Sequence, residues 1–259
     1  MCVIVISEEG KKIGKREFKN MWERNDHGFG VAYYDEKDGL IYVKKGIMNE
    51  KEAWKYYEAI PQMPHIIHFR LASAGSRTPQ LCHPFRVDLV DTQELEYKAC
   101  AVLFHNGTVS DYKNLIPVII ASLEPKEREK FFNVEDISDT YLMSIMVRLF
   151  SHKVLKFYAA SRWAIFTIES GSPQIIIYGD FKKYKDFYVS NLSWQIQLQH
   201  QPQHHHWFWE YNQPISKKNW RTRYYEDHNE DEDEDEELRN FGEEERDKEF
   251  EYYIKKYYY

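Results

Sequence analysis

The chain has 259 residues, of which 42% are hydrophobic and 16% aromatic, so its length allows one large domain or two small ones with a substantial core. No stretch approaches the roughly 20 apolar residues of a membrane-spanning helix, so we expect no membrane partner. The net charge of −7 offers no basic field for nucleic acid. With three cysteines and no secretory leader pattern, we expect a cytoplasmic protein.

Alternating apolar segments and turns predict an α+β fold before residue 195. The strand segments are rich in Val, Ile, Tyr and Phe and are bounded by Gly, Asp or Pro, whereas apolar residues recur at helical spacing in the helix segments. Ser138 is the predicted N-cap of the last helix. In chain order the predicted elements are a strand at 2–6, a helix at 15–24, strands at 28–34 and 40–45, a helix at 50–60, strands at 65–70 and 100–104, helices at 111–122 and 138–150, and strands at 161–168, 173–178 and 187–190.

The composition changes after residue 195. Residues 196–259 are rich in Gln, His, acidic and aromatic side chains, and the acidic run at 226–237 is typical of a solvated, disordered segment. We therefore expect a folded domain at 2–195 and a low-complexity, acidic and aromatic tail at 196–259 that is partly disordered. The histidines at 204–206 are interpreted as part of a biased linker, because no Cys or carboxylate spacing completes a metal site.

Cys2 follows the initiator methionine and opens the first predicted strand. Removal of Met1 would give this one residue both a thiol and a free α-amino group. A thiol titrates near ~8.5 and an α-amino group near ~8, so the amine can accept the thiol proton at neutral pH. Cys2 is therefore a candidate N-terminal nucleophile with its own base. The alternative interpretation is a small apolar residue in a buried strand, because many cysteines are buried without any chemistry.

Short motifs follow Cys2 in a fixed order. They are a Gly-rich strand at 28–34, His68-Phe-Arg70-Leu-Ala-Ser73-Ala-Gly75, His83-Pro-Phe85, His105-Asn106-Gly107, Ser138-Asp139-Thr140 and a late strand ending in Ser190-Asn191. This ordered set resembles the class II glutamine amidotransferase domain, a family of N-terminal-nucleophile hydrolases, over about residues 2 to 195. The resemblance implies a four-layer αββα sandwich. It also implies release of ammonia from glutamine through a γ-glutamyl thioester on Cys2.

The resemblance also implies a role for each motif residue. Asn106, through its side-chain NH2, and Gly107, through its backbone N–H, would donate to the oxyanion, and the loss of one such donor typically costs about 10²–10³ in rate. Arg70 suits the α-carboxylate of glutamine because a guanidinium binds a carboxylate bidentately. Asp139 suits the α-ammonium group of glutamine, and Ser73 adds a hydroxyl contact. The mechanism needs no cofactor and no metal.

Other interpretations stay open at this stage. One is an N-terminal-nucleophile hydrolase acting on another γ-glutamyl or amide compound, and another is a non-catalytic binding module, because a fold does not imply a function. Asn106-Gly107 taken alone is typical of a hairpin turn. His68, His83 and His105 are interpreted as structural. No P-loop or dinucleotide fingerprint is present, so an ammonia acceptor is missing, unused or supplied by a partner protein.

Overall fold

The computed structural model of the chain describes residues 2–90, 93–158 and 160–195. The tail predicted at 196–259, with its acidic run and its three histidines, lies outside the described residues. In chain order the elements are β1 Val3–Ser7, α1 Lys15–Arg24, β2 Phe29–Asp35, β3 Leu40–Ile47, α2 Glu50–Ala59, β4 His65–Phe69, β5 Phe85–Arg86, β6 Glu96–Ala99, β7 Ala101–Asn106, α3 Ile116–Ser122, α4 Pro125–Phe132, α5 Asp139–Phe150, β8 Arg162–Glu169, β9 Ser172–Tyr178, β10 Lys182–Tyr184 and β11 Phe187–Val189. Short 3-10 helices lie at Pro79–Leu81, Tyr112–Leu115 and His152–Tyr158.

Every predicted strand and helix is confirmed, with ends within two residues, except that the helix predicted at 111–122 begins with a 3-10 turn. Ser138 is confirmed as the N-cap of α5, because its side chain accepts a hydrogen bond from Tyr141 N–H. The sequence missed β5, β6, β10 and α4. The three strands have only two to four residues each, and α4 buries only Phe131, so neither kind of element carries enough apolar residues to give a pattern.

The strands form two antiparallel sheets, and the fold is therefore α+β. The larger sheet has seven strands in the order β10-β11-β1-β4-β2-β3-β6, and the smaller has four in the order β5-β7-β8-β9. All of the strand pairs described are antiparallel. The first strand of the chain, β1, lies inside the larger sheet with β4 on one side and β11 on the other.

Three hydrophobic clusters separate four layers of structure. One cluster fills the space between α1, α2 and the outer face of the seven-stranded sheet. A second lies between the two sheets, and a third lies between the four-stranded sheet and helices α3, α4 and α5. The layers therefore run helix, sheet, sheet, helix. Along β1, Val3 and Val5 belong to the first cluster and Ile4 and Ile6 to the second, because successive side chains of a strand point to opposite faces.

A close backbone approach ties β2 to the segment that leads into β5. A Cβ atom on Gly30 would lie 1.8 Å from the carbonyl oxygen of His83. We expect Gly30→Ala to reduce the free energy of unfolding by about 1–3 kcal/mol or more, because the clash is with backbone that cannot rotate away. Urea unfolding measures the change. Gly39→Asn is the control, since Gly39 has open space around it and Asn tolerates its φ of +65°. Equal unfolding midpoints for the two variants would contradict the close approach.

Candidate active site

The candidate residues come from distant segments and meet at one end of the two sheets. Cys2 immediately precedes β1 and Arg70 immediately follows β4, and these strands are antiparallel neighbours. A small pocket lies at this end, with a free volume of about 20 Å³, room for about one water molecule. It is lined by Cys2, Arg70, Leu71, Ala72, Ser73, Ala74, Leu81, His83, His105, Gly107, Ser138, Asp139 and Thr140.

Of the six site residues predicted from the sequence, five line this pocket: Cys2, Arg70, Ser73, Gly107 and Asp139. The sixth, Asn106, is fully buried beside the pocket, and its amide nitrogen donates to the hydroxyl of Ser190 at 2.8 Å. The structure thus brings the six residues into one region, with five in the pocket wall and Asn106 buried beside it, between His105 and Gly107 of the wall.

The thiol of Cys2 is held against the loop that follows β4. Its Sγ atom accepts a hydrogen bond from Leu71 N–H at 3.2 Å and lies 3.4 Å from the carbonyl oxygen of Leu71. The side-chain amide of Asn191 donates to the carbonyl oxygen of Cys2 at 2.7 Å. Burial raises the pKa of the Cys2 thiol, although the Leu71 N–H works in the opposite direction. The described surroundings therefore keep this thiol protonated, and it needs a base to react.

Arg70 places a guanidinium group in the pocket with part of its hydrogen-bonding capacity unused. Its side chain is 3% exposed, and its Nη2 atom donates to the carbonyl oxygen of Ser76 at 2.7 Å. The Nη1 atom is buried and has no hydrogen-bond partner among the described residues. A buried donor without a partner costs about 1–3 kcal/mol. An anionic ligand that reached Nη1 would remove this cost.

Asp139 places a buried carboxylate on the other side of the same pocket. Its Oδ2 atom accepts a hydrogen bond from Val109 N–H at 2.9 Å, and its Oδ1 atom accepts one from Thr140 N–H at 2.7 Å. Burial raises the pKa of the Asp139 carboxyl, and these backbone donors limit the shift. Its position in the first turn of α5 also favours the negative charge. The Thr140 hydroxyl donates a third hydrogen bond, to Oδ1 at 3.3 Å, and a carboxylate has about four acceptor sites, so capacity remains for a cation.

Gly107 and Ser73 shape the pocket wall. A Cβ atom on Gly107 would lie 2.3 Å from the Oγ atom of Ser161 and 2.9 Å from the Nε2 atom of His105, so no side chain fits there. Packing against Ser161 and His105 therefore requires a glycine at this position of the pocket wall. The hydroxyl of Ser73 lies 2.9 Å from that of Thr108, which connects the loop after β4 to the loop after β7.

Two histidines of the pocket wall were not assigned to the site from the sequence. The Nε2 atom of His83 and the Nδ1 atom of His105 lie 3.0 and 2.9 Å from the hydroxyl oxygen of Thr140. The ring of His105 also stacks on Trp163, with 3.7 Å between centroids. Burial lowers the pKa of His105 to about 3, so its ring is neutral at pH 7. The signal was present in the motifs, since His105 directly precedes Asn106 in the chain.

A larger cleft lies elsewhere on the surface but has fewer side chains that could take part in a reaction. Its volume is about 480 Å³, and its wall includes the segments 9–14 and 185–187. Its charged groups pair with one another: Lys11 contacts Glu9 at 2.9 Å, and Lys185 contacts Glu17 at 2.6 Å. It contains no thiol, hydroxyl or imidazole side chain. The smaller pocket is therefore the better candidate for a site of reaction.

The chain matches no protein-family model. It is similar to the uncharacterized protein MJ1515 of Methanocaldococcus jannaschii, with 32% identity over 108 residues, which is 40% of this chain and 28% of that protein. The chain thus spans less than a third of the length of this relative. In the ranges that the structure describes, no helix has the length and apolar character needed to cross a membrane. The cytoplasmic location stays a prediction.

Buried histidines predict a loss of stability in acid. Burial lowers the pKa of His65 to about 4 and the pKa values of His68 and His105 to about 3. The unfolded chain, with histidine pKa values near ~6.5, therefore binds more protons than the folded chain below that pH. We expect the free energy of unfolding to fall as the pH drops from ~6.5 towards 4, by up to about 1.4 kcal/mol per pH unit for each histidine.

Urea unfolding at pH 7.5, 6.0 and 5.0 measures this slope. The raised pKa of Asp139 acts in the opposite direction, so the net slope lies below the sum for three histidines. His65→Gln removes one of the three groups and should flatten the dependence. An unfolding free energy that stays constant between pH 6.5 and 5 would contradict the burial of neutral rings.

Proposed function

We propose that this chain is a glutaminase of the class II glutamine amidotransferase type, which releases ammonia from glutamine with Cys2 as the nucleophile. The observation that carries the proposal is the convergence of Cys2, Arg70, Ser73, Gly107 and Asp139 on one pocket. These residues lie in four separate segments of the sequence, with Arg70 and Ser73 in the same one. The pocket combines a thiol, a buried cation and a buried anion, which are the groups that an amino-acid amide requires.

The architecture supports assignment to the N-terminal-nucleophile hydrolase fold. The four layers run helix, sheet, sheet, helix, and both sheets are antiparallel. The first strand of the chain lies inside the larger sheet, so its start is held by neighbours on both sides. A nucleophile at this start is held in position by these neighbours, as a reaction between oriented groups requires.

The proposed reaction begins with removal of Met1, which frees the α-amino group of Cys2. This amine takes the thiol proton and thereby supplies the base that the buried thiol lacks. The sulfur then attacks the carboxamide carbon of glutamine, and the carbonyl oxygen becomes an oxyanion. The backbone N–H of Gly107 and the amide of Asn106 are the donors for this oxyanion. The Leu71 N–H already contacts the sulfur and stabilises a thiolate.

The intermediate collapses when the C–N bond breaks and the α-ammonium group of Cys2 gives its proton to the departing ammonia. A γ-glutamyl thioester remains on Cys2. Water then attacks the thioester, with the α-amine again as base, and glutamate and the free thiol are formed. One difficult hydrolysis is thus divided into two easier steps. The ammonia either passes to an acceptor on a partner protein or is released without further use.

Two buried charges orient the substrate in this proposal. The free Nη1 atom of Arg70 binds the α-carboxylate of glutamine, and Asp139 binds its α-ammonium group. The hydroxyl of Ser73 adds a polar contact at the pocket mouth. Arg70 and Asp139 recognise only the α-amino-acid end of the ligand, which other γ-glutamyl compounds share. A hydrolase for such a compound is therefore the second candidate function, and assays with a panel of γ-glutamyl amides separate the two.

The nucleophile is tested by labelling. We expect the mature protein to begin at Cys2, and a glutamine-derived diazoketone to alkylate Cys2 alone, because only Cys2 has an adjacent amine to form the thiolate. Intact mass and peptide mapping give the answer. Cys82 is buried and Cys100 is exposed, so they control for access. Label on Cys100 or Cys82, or a retained Met1, would contradict the assignment.

The substrate clamp is tested by substitution. We expect Arg70→Lys and Asp139→Asn each to lower kcat/KM for glutamine by the equivalent of about 2–5 kcal/mol, as for loss of one partner of a buried charge pair. Lysine should not restore activity because an ammonium lacks the planar fork. Arg148→Lys is the matched control, since Arg148 pairs with Glu127 away from the pocket. Equal effects at Arg70 and Arg148 would place the substrate elsewhere.

A further inference from the structure

The hydroxyl of Ser190 joins the two sheets beside the pocket. Ser190 directly follows β11 and is 1% exposed. Its Oγ atom accepts hydrogen bonds from Ile4 N–H at 2.9 Å and from the amide nitrogen of Asn106 at 2.8 Å. Ile4 belongs to β1 of the larger sheet and Asn106 ends β7 of the smaller one. One oxygen atom therefore connects the strand of the nucleophile to the strand of the oxyanion donors.

The main chain on either side of this hydroxyl strengthens the connection. Ser190 N–H donates to the carbonyl oxygen of Ile4 at 3.0 Å, so Ile4 is bonded to Ser190 through both of its backbone groups. The next residue, Asn191, donates from its side chain to the carbonyl oxygen of Cys2 at 2.7 Å. Residues 190 and 191 thus hold the segment from Cys2 to Ile4 at two points.

The same hydroxyl is the hydrogen-bond partner of the Asn106 amide nitrogen. An amide NH2 group has two hydrogens, and one of them is donated to Ser190. The Oδ1 atom of Asn106 is buried and has no partner among the described residues, so it does not fix the orientation. The bond to Ser190 is therefore what holds the amide plane, and it leaves the second hydrogen for another acceptor. A rotated amide would present oxygen, which repels an oxyanion.

We propose that Ser190 is a positioning residue for the glutaminase reaction. Its hydroxyl oxygen orients the Asn106 amide as an oxyanion donor and holds that amide at a fixed position relative to Cys2. This inference rests on the proposed function and deepens it. Ser190 contacts Asn106, whose chain neighbours His105 and Gly107 line the pocket, so it acts through Asn106 and not on the substrate. Misplacement of a catalytic group by about 1 Å can cost roughly 10²-fold in rate, which makes such support necessary.

The test compares Ser190→Ala with Ser144→Ala in the full chain. Ser144 is also fully buried, and its hydroxyl donates to the carbonyl oxygen of Tyr141 within α5, away from the pocket wall. We expect Ser190→Ala to lower kcat for ammonia release by about 10- to 100-fold with KM changed less than about twofold, because the oxyanion contact is made only in the transition state. Ser144→Ala should keep the wild-type kcat, and Ser190→Thr, which retains the hydroxyl, should recover most of it.

Alkylation of Cys2 by iodoacetamide separates positioning from general damage. This reaction forms no oxyanion, so its rate in Ser190→Ala should stay within about twofold of the wild-type rate. Urea unfolding of Ser190→Ala, Asn106→Ala and the double variant gives a second measure. The shifts in midpoint should be less than additive, because both single changes remove the same hydrogen bond.

Several results would overturn the positioning role. They are a folded Ser190→Ala variant with the wild-type kcat, a loss confined to KM, an equal loss towards iodoacetamide, and an equal loss in Ser144→Ala. Each of these leaves the proposed function intact as long as the wild-type chain releases ammonia. A wild-type chain that begins at Cys2 yet releases no ammonia from glutamine would instead overturn the proposed function, and the role of Ser190 with it.

Discussion

The position of β1 inside the seven-stranded sheet is the constraint on which the rest of the site depends. β4 and β11 flank β1, and clusters of apolar side chains cover both of its faces. Its backbone hydrogen bonds are therefore made on both edges, and its start cannot shift without breaking them. The pairing of Val3 with Phe69 then fixes Cys2 close to Arg70. The end of β11 fixes the same segment a second time, through the contacts of Ser190 and Asn191.

The pocket wall contains two buried side chains of opposite charge, Arg70 and Asp139, and their burial costs stability. Burial lowers the pKa of Arg70 and raises that of Asp139, so each side chain is less well solvated than in water. The histidine rings nearby are neutral and do not compensate either charge. Replacing one of two buried opposite charges is destabilising because it leaves the other buried alone. A ligand with a carboxylate and an ammonium group would instead pair with both charges. Burying these charges reduces the stability of the fold without a structural benefit, so the arrangement supports the proposal of a binding site.

Local patterns in the sequence were sufficient for most of the fold. The continuous apolar runs of β1, β4 and β8 predicted strands, and the helical spacing of apolar residues after Ser138 predicted α5. These signals are strong because burial on both faces of a strand, or on one face of a helix, requires a regular spacing of apolar residues. β6 and α4 gave no such signal, since each buries too few side chains to leave a pattern.

The sequence by itself determined the chemical types of the candidate residues and their order along the chain, because thiol, guanidinium, amide and carboxylate groups are properties of single residues. Only the tertiary structure decided which of their atoms are free. Cys2 meets the N–H of Leu71 across 69 positions, and Asn106 meets Ser190 across 84. Such contacts depend on the register of β1 and on the packing of one sheet against the other. A local pattern contains no information about either, so the small pocket, the buried histidines in its wall and the contacts of Ser190 emerged only with the fold.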